Sequence, residues 1–255
     1  MLREFRPLRA AAAACLLASA LTSPSAWAGP FEPVSAAEAK TLSQAIQRHT
    51  GGKVKVGEIR TTPIPGVYQV DSEGELLYVD RSGRYGFSGA QLIDMQQQVD
   101  LTAQQIDRVH AIPFNSLPLQ LAIKEVRGNG RRIFAVFEDP NCPICKVFTK
   151  FVDALDNVTV YKFMFPVIDP SSAALARVAW CAPQRGAVWH DIMAGARPSG
   201  RQDCDTAGLR EILQLGERYA INNTPTVILA NGRRLVGATP PEQFIAELDA
   251  SASGH

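Results

Sequence analysis

The chain has 255 residues, with 26 Lys and Arg against 25 Asp and Glu, and a net charge of +1. With no excess of cations to neutralise phosphates, the composition gives no case for a nucleic-acid or polyanion binder. Apolar residues at 46% and charged residues at 20% suit a chain that buries a core and exclude intrinsic disorder, and the length allows one domain or two.

The opening segment has the layout of a signal peptide. Arg3, Arg6 and Arg9 form a basic start, Ala10 to Leu21 an apolar run, and Ala26-Trp27-Ala28 a small-x-small cleavage site, so residues 1–28 are expected to be removed. The apolar run is too short to span a bilayer, and no later stretch approaches the roughly 20 apolar residues that a membrane helix needs. Cleavage removes 28 of the 255 residues and leaves 227; losing three cations and one anion takes the net charge from +1 to −1. The mature protein is expected to be soluble and outside the cytoplasm. Without Cys15 it keeps Cys142, Cys145, Cys181 and Cys204, and an even count in an exported protein points to disulfide chemistry.

Ser35 to His49 reads as a helix with Ala36, Leu42, Ala45 and Ile46 on one face, ended by Gly51-Gly52. Short strands follow at Val67–Val70, Leu76–Val79 and Tyr85–Phe87, separated by the turn-forming clusters Asp71-Ser72-Glu73-Gly74 and Asp80-Arg81-Ser82-Gly83. So small an α+β unit has little interior, and the missing burial is expected from a second copy. Gln91 to His110 is polar and Gln-rich, which predicts an exposed helical or extended connector dividing the chain near residue 112.

The second half alternates strands and helices. Leu121–Val126 is predicted as a strand, Gly128-Asn129-Gly130 as a hairpin turn, and Arg132–Phe137 as a buried strand. A helix opening near Asn141, with Asn141 as its N-cap, runs to Leu155, and a strand follows over Val158–Phe165. Helices at Ser171–Trp180, Ala187–Ala194 and Thr206–Tyr219 precede a hairpin of Thr226–Leu229 and Arg233–Val236, and Pro240–Leu248 is a last helix. This order predicts a mixed sheet covered by helices.

The chemistry concentrates at Cys142-Pro143-Ile144-Cys145, a C-x-x-C where a strand turns into a helix. Unpaired N–H groups and the positive end of the helix dipole stabilise a thiolate at that position, so Cys142 is the expected nucleophile, left open to visiting proteins. Cys145, one turn deeper, is the expected resolving thiol. A zinc site would need two further ligands, and the wide separation of Cys181 and Cys204 is unlike a second knuckle. A purely structural disulfide across so short a loop would constrain the unfolded chain little.

Thr224-Pro225 stands at the entry to a strand, where proline is permitted. With the C-x-x-C upstream, a cis bond is expected, exposing the Thr224 backbone to a substrate strand. Cys181 and Cys204 flank a helical insertion and are expected to form a structural bridge, a second redox pair being the other reading. His49, His110, His190 and His255 are scattered, so no metal site is predicted, and Arg127, Arg131 and Arg132 around the Gly128 turn read as a solvated hairpin rather than a phosphate site.

On these features the chain resembles the DsbC/DsbG family of periplasmic disulfide isomerases. The likeness rests on Ala135-Val136-Phe137-Glu138-Asp139-Pro140-Asn141-Cys142-Pro143-Ile144-Cys145, on Trp180-Cys181, and on Asn223-Thr224-Pro225-Thr226. It implies an N-terminal dimerisation domain over residues 29–90, a helical linker at 91–112 and a thioredoxin-like domain with a helical insertion over 113–255. It implies a V-shaped homodimer with an open, uncharged cleft for misfolded exported proteins, no cofactor, and a membrane thiol reductase of the DsbD type that keeps Cys142 and Cys145 reduced. Thr224 and Pro225 become the cis-proline loop, and Cys181 with Cys204 the structural bridge. Two positions depart from the family pattern: Ile144 replaces an aromatic residue, and Asn222-Asn223 stands where glycine is usual, tolerable because Asn visits left-handed backbone. The implied activity is thiol:disulfide isomerisation and reduction of wrongly paired exported proteins. A dithiol oxidase and a non-catalytic chaperone-like clamp are the alternatives.

Overall fold

The structure is a computed structural model that describes residues 31–253. The expected signal peptide, residues 1–28, lies outside the described residues. The chain forms two compact units, one taking in residues up to Val70 together with Tyr78–Gly86, the other Asp71–Leu77 together with Phe87 onward.

In the first region the helix α1 (Ala36–Thr50) starts where Ser35 accepts a hydrogen bond from the Glu38 N–H and stops at Gly51, whose left-handed backbone returns its N–H to Gln47. It buries Leu42, Ala45 and Ile46. A sheet of order β1-β2-β3-β4 follows, with β1 (Ile59–Thr61), β2 (Val67–Ser72), β3 (Glu75–Asp80) and β4 (Gly86–Ser88). β1 has too few apolar residues to announce itself in the sequence. Glu73 and Gly74, at φ 55° and 90°, make the two-residue turn between β2 and β3, a geometry that favours glycine and matches the twist of a hairpin.

The polar stretch after β4 carries a helix, as expected, preceded by a small hairpin that was not. β5 (Ile93–Asp94) and β6 (Val99–Asp100) form a small antiparallel hairpin, and α2 (Leu101–Val109) follows at once. Side-chain acceptors explain it: Asp94 takes the N–H groups of Gln96 and Gln97, both at 2.9 Å, and Asp100 caps α2 through the Ala103 N–H.

The second region is built on a five-stranded sheet of order β11-β10-β8-β9-β7. Its strands are β7 (Ile123–Arg127), β8 (Arg132–Glu138), β9 (Val158–Met164), β10 (Thr226–Leu229) and β11 (Arg234–Val236). β8 runs parallel to β9 and antiparallel to β10, so it is the central strand, and its run from Phe134 to Glu138 is buried on both faces. Phe134 and Val136 point into one core with Phe148, Val152 and Phe244, while Ala135 and Phe137 point into the other with Phe163, Ala176, Trp189 and Ile212. The first core lies under α3 (Pro143–Asp153) and α7 (Pro241–Ser253), the second under α4 (Pro170–Cys181), α5 (Arg185–Met193) and α6 (Ala207–Arg218). The expected mixed sheet covered by helices is therefore present.

One expected pairing is not. β7 and β8 do not form a hairpin; β7 pairs antiparallel with β9, Ile123 opposite Lys162 through Arg127 opposite Val158. The loop at Gly128–Arg131 instead steps over the start of β9, where Asn157 Oδ1 accepts the Asn129 N–H at 3.0 Å and Thr159 Oγ1 donates to the Gly130 carbonyl at 2.8 Å. Gly128 and Gly130, at φ 55° and 66°, permit the crossing. Two of the cations there serve the fold: Arg127 donates to the carbonyls of Leu155 and Val152 at the end of α3, and Arg132 to that of Asp156.

Candidate active site

Cys142 itself, rather than Asn141, is the N-cap of α3. Its backbone is extended, Pro143 takes the first helical turn, and its Sγ accepts the Cys145 N–H at 3.2 Å. Sequence reasoning favoured Asn141 because amide side chains cap well, but the Asn141 side chain is engaged elsewhere. Its Nδ2 donates to Asp169, Ser171 and Ser172 at the start of α4. The consequence strengthens the chemistry, since the sulfur occupies the place of a capping oxygen at the positive end of the helix.

Across from the sulfur lies Thr224, whose peptide bond to Pro225 is cis. The Cys142 Sγ donates to the Thr224 carbonyl at 3.3 Å. Both residues line a cleft of about 550 Å³ whose wall includes Phe165, Val167, Ile168, Leu213 and Ile221, with Glu217 contributing a charge. Cys142 is only 4% exposed, so the expectation of a sulfur left open is corrected: the residue is buried while lining the cleft. Cys145 is fully buried, and its thiol titrates well above the ordinary range, because burial penalises the thiolate and the neighbouring Cys142 adds to the effect. Both are free thiols. The geometry thus places one sulfur on a cleft and seals the other, in its protonated form, behind it.

Asn222 and Asn223 line the cleft and have no need of left-handed backbone; Ala220 has it, at φ 47°. The left-handed residue belongs to the end of α6, where the Ile221 N–H returns to the Gly216 carbonyl at 2.8 Å. Cys181 and Cys204 are joined by a disulfide, tying the end of α4 to the segment before α6. Closing a loop with a sequence separation of 23 contributes about 3 kcal/mol in the chain-entropy model.

Two acids beside the cysteines carried no weight in the sequence reading. Glu138, fully buried at the end of β8, accepts the Trp189 indole N–H from α5 at 2.6 Å and the Thr149 hydroxyl from α3 at 3.3 Å. Burial raises its pKa, opposed by the positive charge of Lys162, itself buried and 2.8 Å from Glu125. Asp139 is also buried and gathers four donors. The available signal was two consecutive acids closing an apolar strand, a place where an unpartnered charge would be costly.

Among the described residues no group of three or more His, Cys, Asp or Glu could hold a metal ion, and no helix is long and apolar enough to cross a membrane.

Residues 33–103 match the family described as the disulfide bond isomerase protein N-terminal domain, and residues 119–252 match a thioredoxin-like domain. A protein of Bordetella parapertussis named a probable thiol:disulfide interchange protein DsbC is 36% identical over 76% of this chain and 68% of its own. Its counterpart in Bordetella avium is 34% identical over 88% of this chain and 78% of its own. The chain belongs to the DsbC family. A crystal structure of a disulfide interchange protein from Neisseria gonorrhoeae is similar as well, at 40% identity and a TM-score of 0.50 over 53% of this chain and 99% of that one. As a DsbC-family member, this protein is a thiol:disulfide oxidoreductase and disulfide isomerase with a thioredoxin-like fold.

Proposed function

We propose that Cys142 is the attacking thiol and Cys145 the resolving thiol of an isomerase that rearranges wrong disulfides in exported proteins. The observation that carries the reading is the Cys142 sulfur held as the cap of α3, facing the Thr224 carbonyl on the wall of the cleft. Cys142 attacks a client S–S bond; one client sulfur forms a mixed disulfide with Cys142, and the other leaves as a thiolate that takes a proton. If a client thiol then displaces Cys142, the client is isomerised with no net electron transfer. If Cys145 displaces the client instead, the client is reduced by two electrons and a Cys142–Cys145 disulfide remains, to be reduced by a membrane thiol reductase of the DsbD type.

Thr224 and Pro225 form the client-binding loop. In the free enzyme the Thr224 carbonyl accepts the thiol proton; once Cys142 is in a mixed disulfide that proton is gone, and the carbonyl is released to accept a client backbone N–H. The Cys181–Cys204 disulfide is structural, holding the helical insertion to the sheet. Residues 29–90 serve as a dimerisation domain, 91–112 as the linker and 113–255 as the catalytic domain. A homodimer is supported by the edge position of β4, whose residues are all exposed, and by the exposed rings of Phe87 within it and Tyr85 just before it. The leader at residues 1–28 directs the chain to the periplasm, and the four remaining cysteines suit that compartment.

The test is recovery of a scrambled multi-disulfide enzyme by the full mature chain. Cys142→Ala is expected to lose it entirely, whereas mere clamping of unfolded chains would survive the change; recovery at the wild-type rate would overturn the assignment of Cys142 as the attacking thiol.

A further inference from the structure

Asp139 stands three residues before the attacking sulfur and is fully buried, yet every partner of its carboxylate is a donor. Oδ1 accepts the Asn141 N–H and the Ser172 hydroxyl, both at 2.7 Å, and Oδ2 accepts the N–H groups of Val167 at 2.7 Å and Ile168 at 2.9 Å. Its own carbonyl accepts the Cys142 N–H at 3.1 Å. One side of this carboxylate therefore holds the loop that carries the sulfur, and the other holds the lip of the cleft, where Val167 and Ile168 are 46% and 50% exposed.

From this arrangement we infer that Asp139 is a positioning residue that sets the distance between the Cys142 sulfur and the Val167–Ile168 lip, and so determines reactivity toward polypeptide disulfides as distinct from small ones. A small disulfide needs only the sulfur; a polypeptide must also lie along the lip while its S–S bond is in line for attack. Misplacing such a pair by a fraction of an ångström is felt in rate. The inference rests on the proposed role of Cys142.

Replacing Asp139 by Asn leaves one acceptor oxygen for two sets of donors. An amide NH2 on the lip side would confront two backbone N–H groups, neither of which can turn. On the sulfur side it meets the Ser172 hydroxyl, which can rotate to accept, and only the Asn141 N–H loses its partner. Asp139→Asn thus keeps the lip and frees the sulfur loop, and Asp139→Ala frees both.

The experiment measures, on the full mature chain, the rate at which Cys142 forms a mixed disulfide with a cysteine-containing peptide disulfide and with a small aromatic disulfide. Asp139→Asn is expected to slow the peptide reaction about tenfold, and Asp139→Ala more, while the small disulfide stays within about twofold of wild type. Equal slowing of both, or of neither, would overturn the inference and leave Asp139 as a purely structural group. Should both variants fail to fold, Ser172→Ala removes a single donor and is expected to slow the peptide reaction alone by about threefold; an unchanged ratio overturns the inference equally. A wild type that reacts with neither disulfide overturns the role of Cys142 together with this inference, whereas a reactive wild type with unselective variants overturns the inference alone.

Discussion

The two regions each keep an acid near a strand end, and the two acids behave oppositely. Asp80 closes β3 in the exposed turn toward β4, where its carboxylate accepts the Ser82 hydroxyl at 2.6 Å and the backbone N–H groups of Arg84 and Tyr85, both at 3.0 Å. The Ser82 hydroxyl is the first cause and the backbone donors add to it, bringing the pKa from the ordinary 3.8 down to about 2. Glu138 closes β8 in the interior with fewer donors, and loss of water raises its pKa. The difference shows that an acid at a strand end is governed by access to water and by the number of donors, not by its place in the topology. Asp139, buried beside Glu138, fastens the surrounding loops through its four donors.

The comparison is broken most severely by removing what encloses Glu138. Trp189 is 1% exposed and supplies the Glu138 Oε1 donor, so Trp189→Ala should cost about 3–5 kcal/mol for the lost apolar burial and the cavity together, seen as a lower urea midpoint by far-UV circular dichroism. Glu138→Gln sharpens the contrast through pH. Because the folded pKa lies above the unfolded 4.5, the contribution of Glu138 is fully present below pH 4.5 and is lost as pH rises through the folded value. Urea midpoints of the wild type should therefore fall over that range relative to the Gln variant, and parallel curves would show that Glu138 is not linked to folding.

In the first region Gly83 lies at φ 64°, and an added Cβ would stand 3.1 Å from side-chain atoms of Leu42, Ala45 and Ile46. Gly83→Ala is expected to cost about 1–2 kcal/mol for the left-handed backbone, read as an earlier unfolding transition of that region. Asp80→Asn should have the smallest effect. Its carboxylate contributes above pH 3.8 and loses that contribution as pH falls through about 2, so wild type and variant should converge in thermal midpoint at the acid end.

Most of the secondary structure was legible in the sequence because its punctuation is local. Ser35 and Gly51 bound α1, Glu73-Gly74 makes its turn, and Asn231-Gly232 joins β10 to β11, each by the chemistry of one or two residues. What failed was non-local. The loop at Gly128–Arg131 carries the composition of a hairpin, but whether its strands pair or admit β9 between them depends on residues some thirty positions away. At the site, the C-x-x-C and Thr224-Pro225 could be read from spacing, whereas the N-cap was misplaced because Asn141 is drawn to Asp169, Ser171 and Ser172 across the fold. The roles of Glu138 and Asp139 could not be read, since their donors come from α3, α4, α5 and the segment after β9.

The sealing of Cys145 bears on how long a client stays attached. In the resolving role proposed for Cys145, a buried thiol whose pKa is raised would be a slow competitor for the mixed disulfide, and the enzyme's own escape route would be held back. During that delay a second client sulfur, searching by chain diffusion, has time to arrive first. On that proposal reshuffling would be favoured over release, with the interior of one helix setting the balance between rearranging a protein and simply opening its bond.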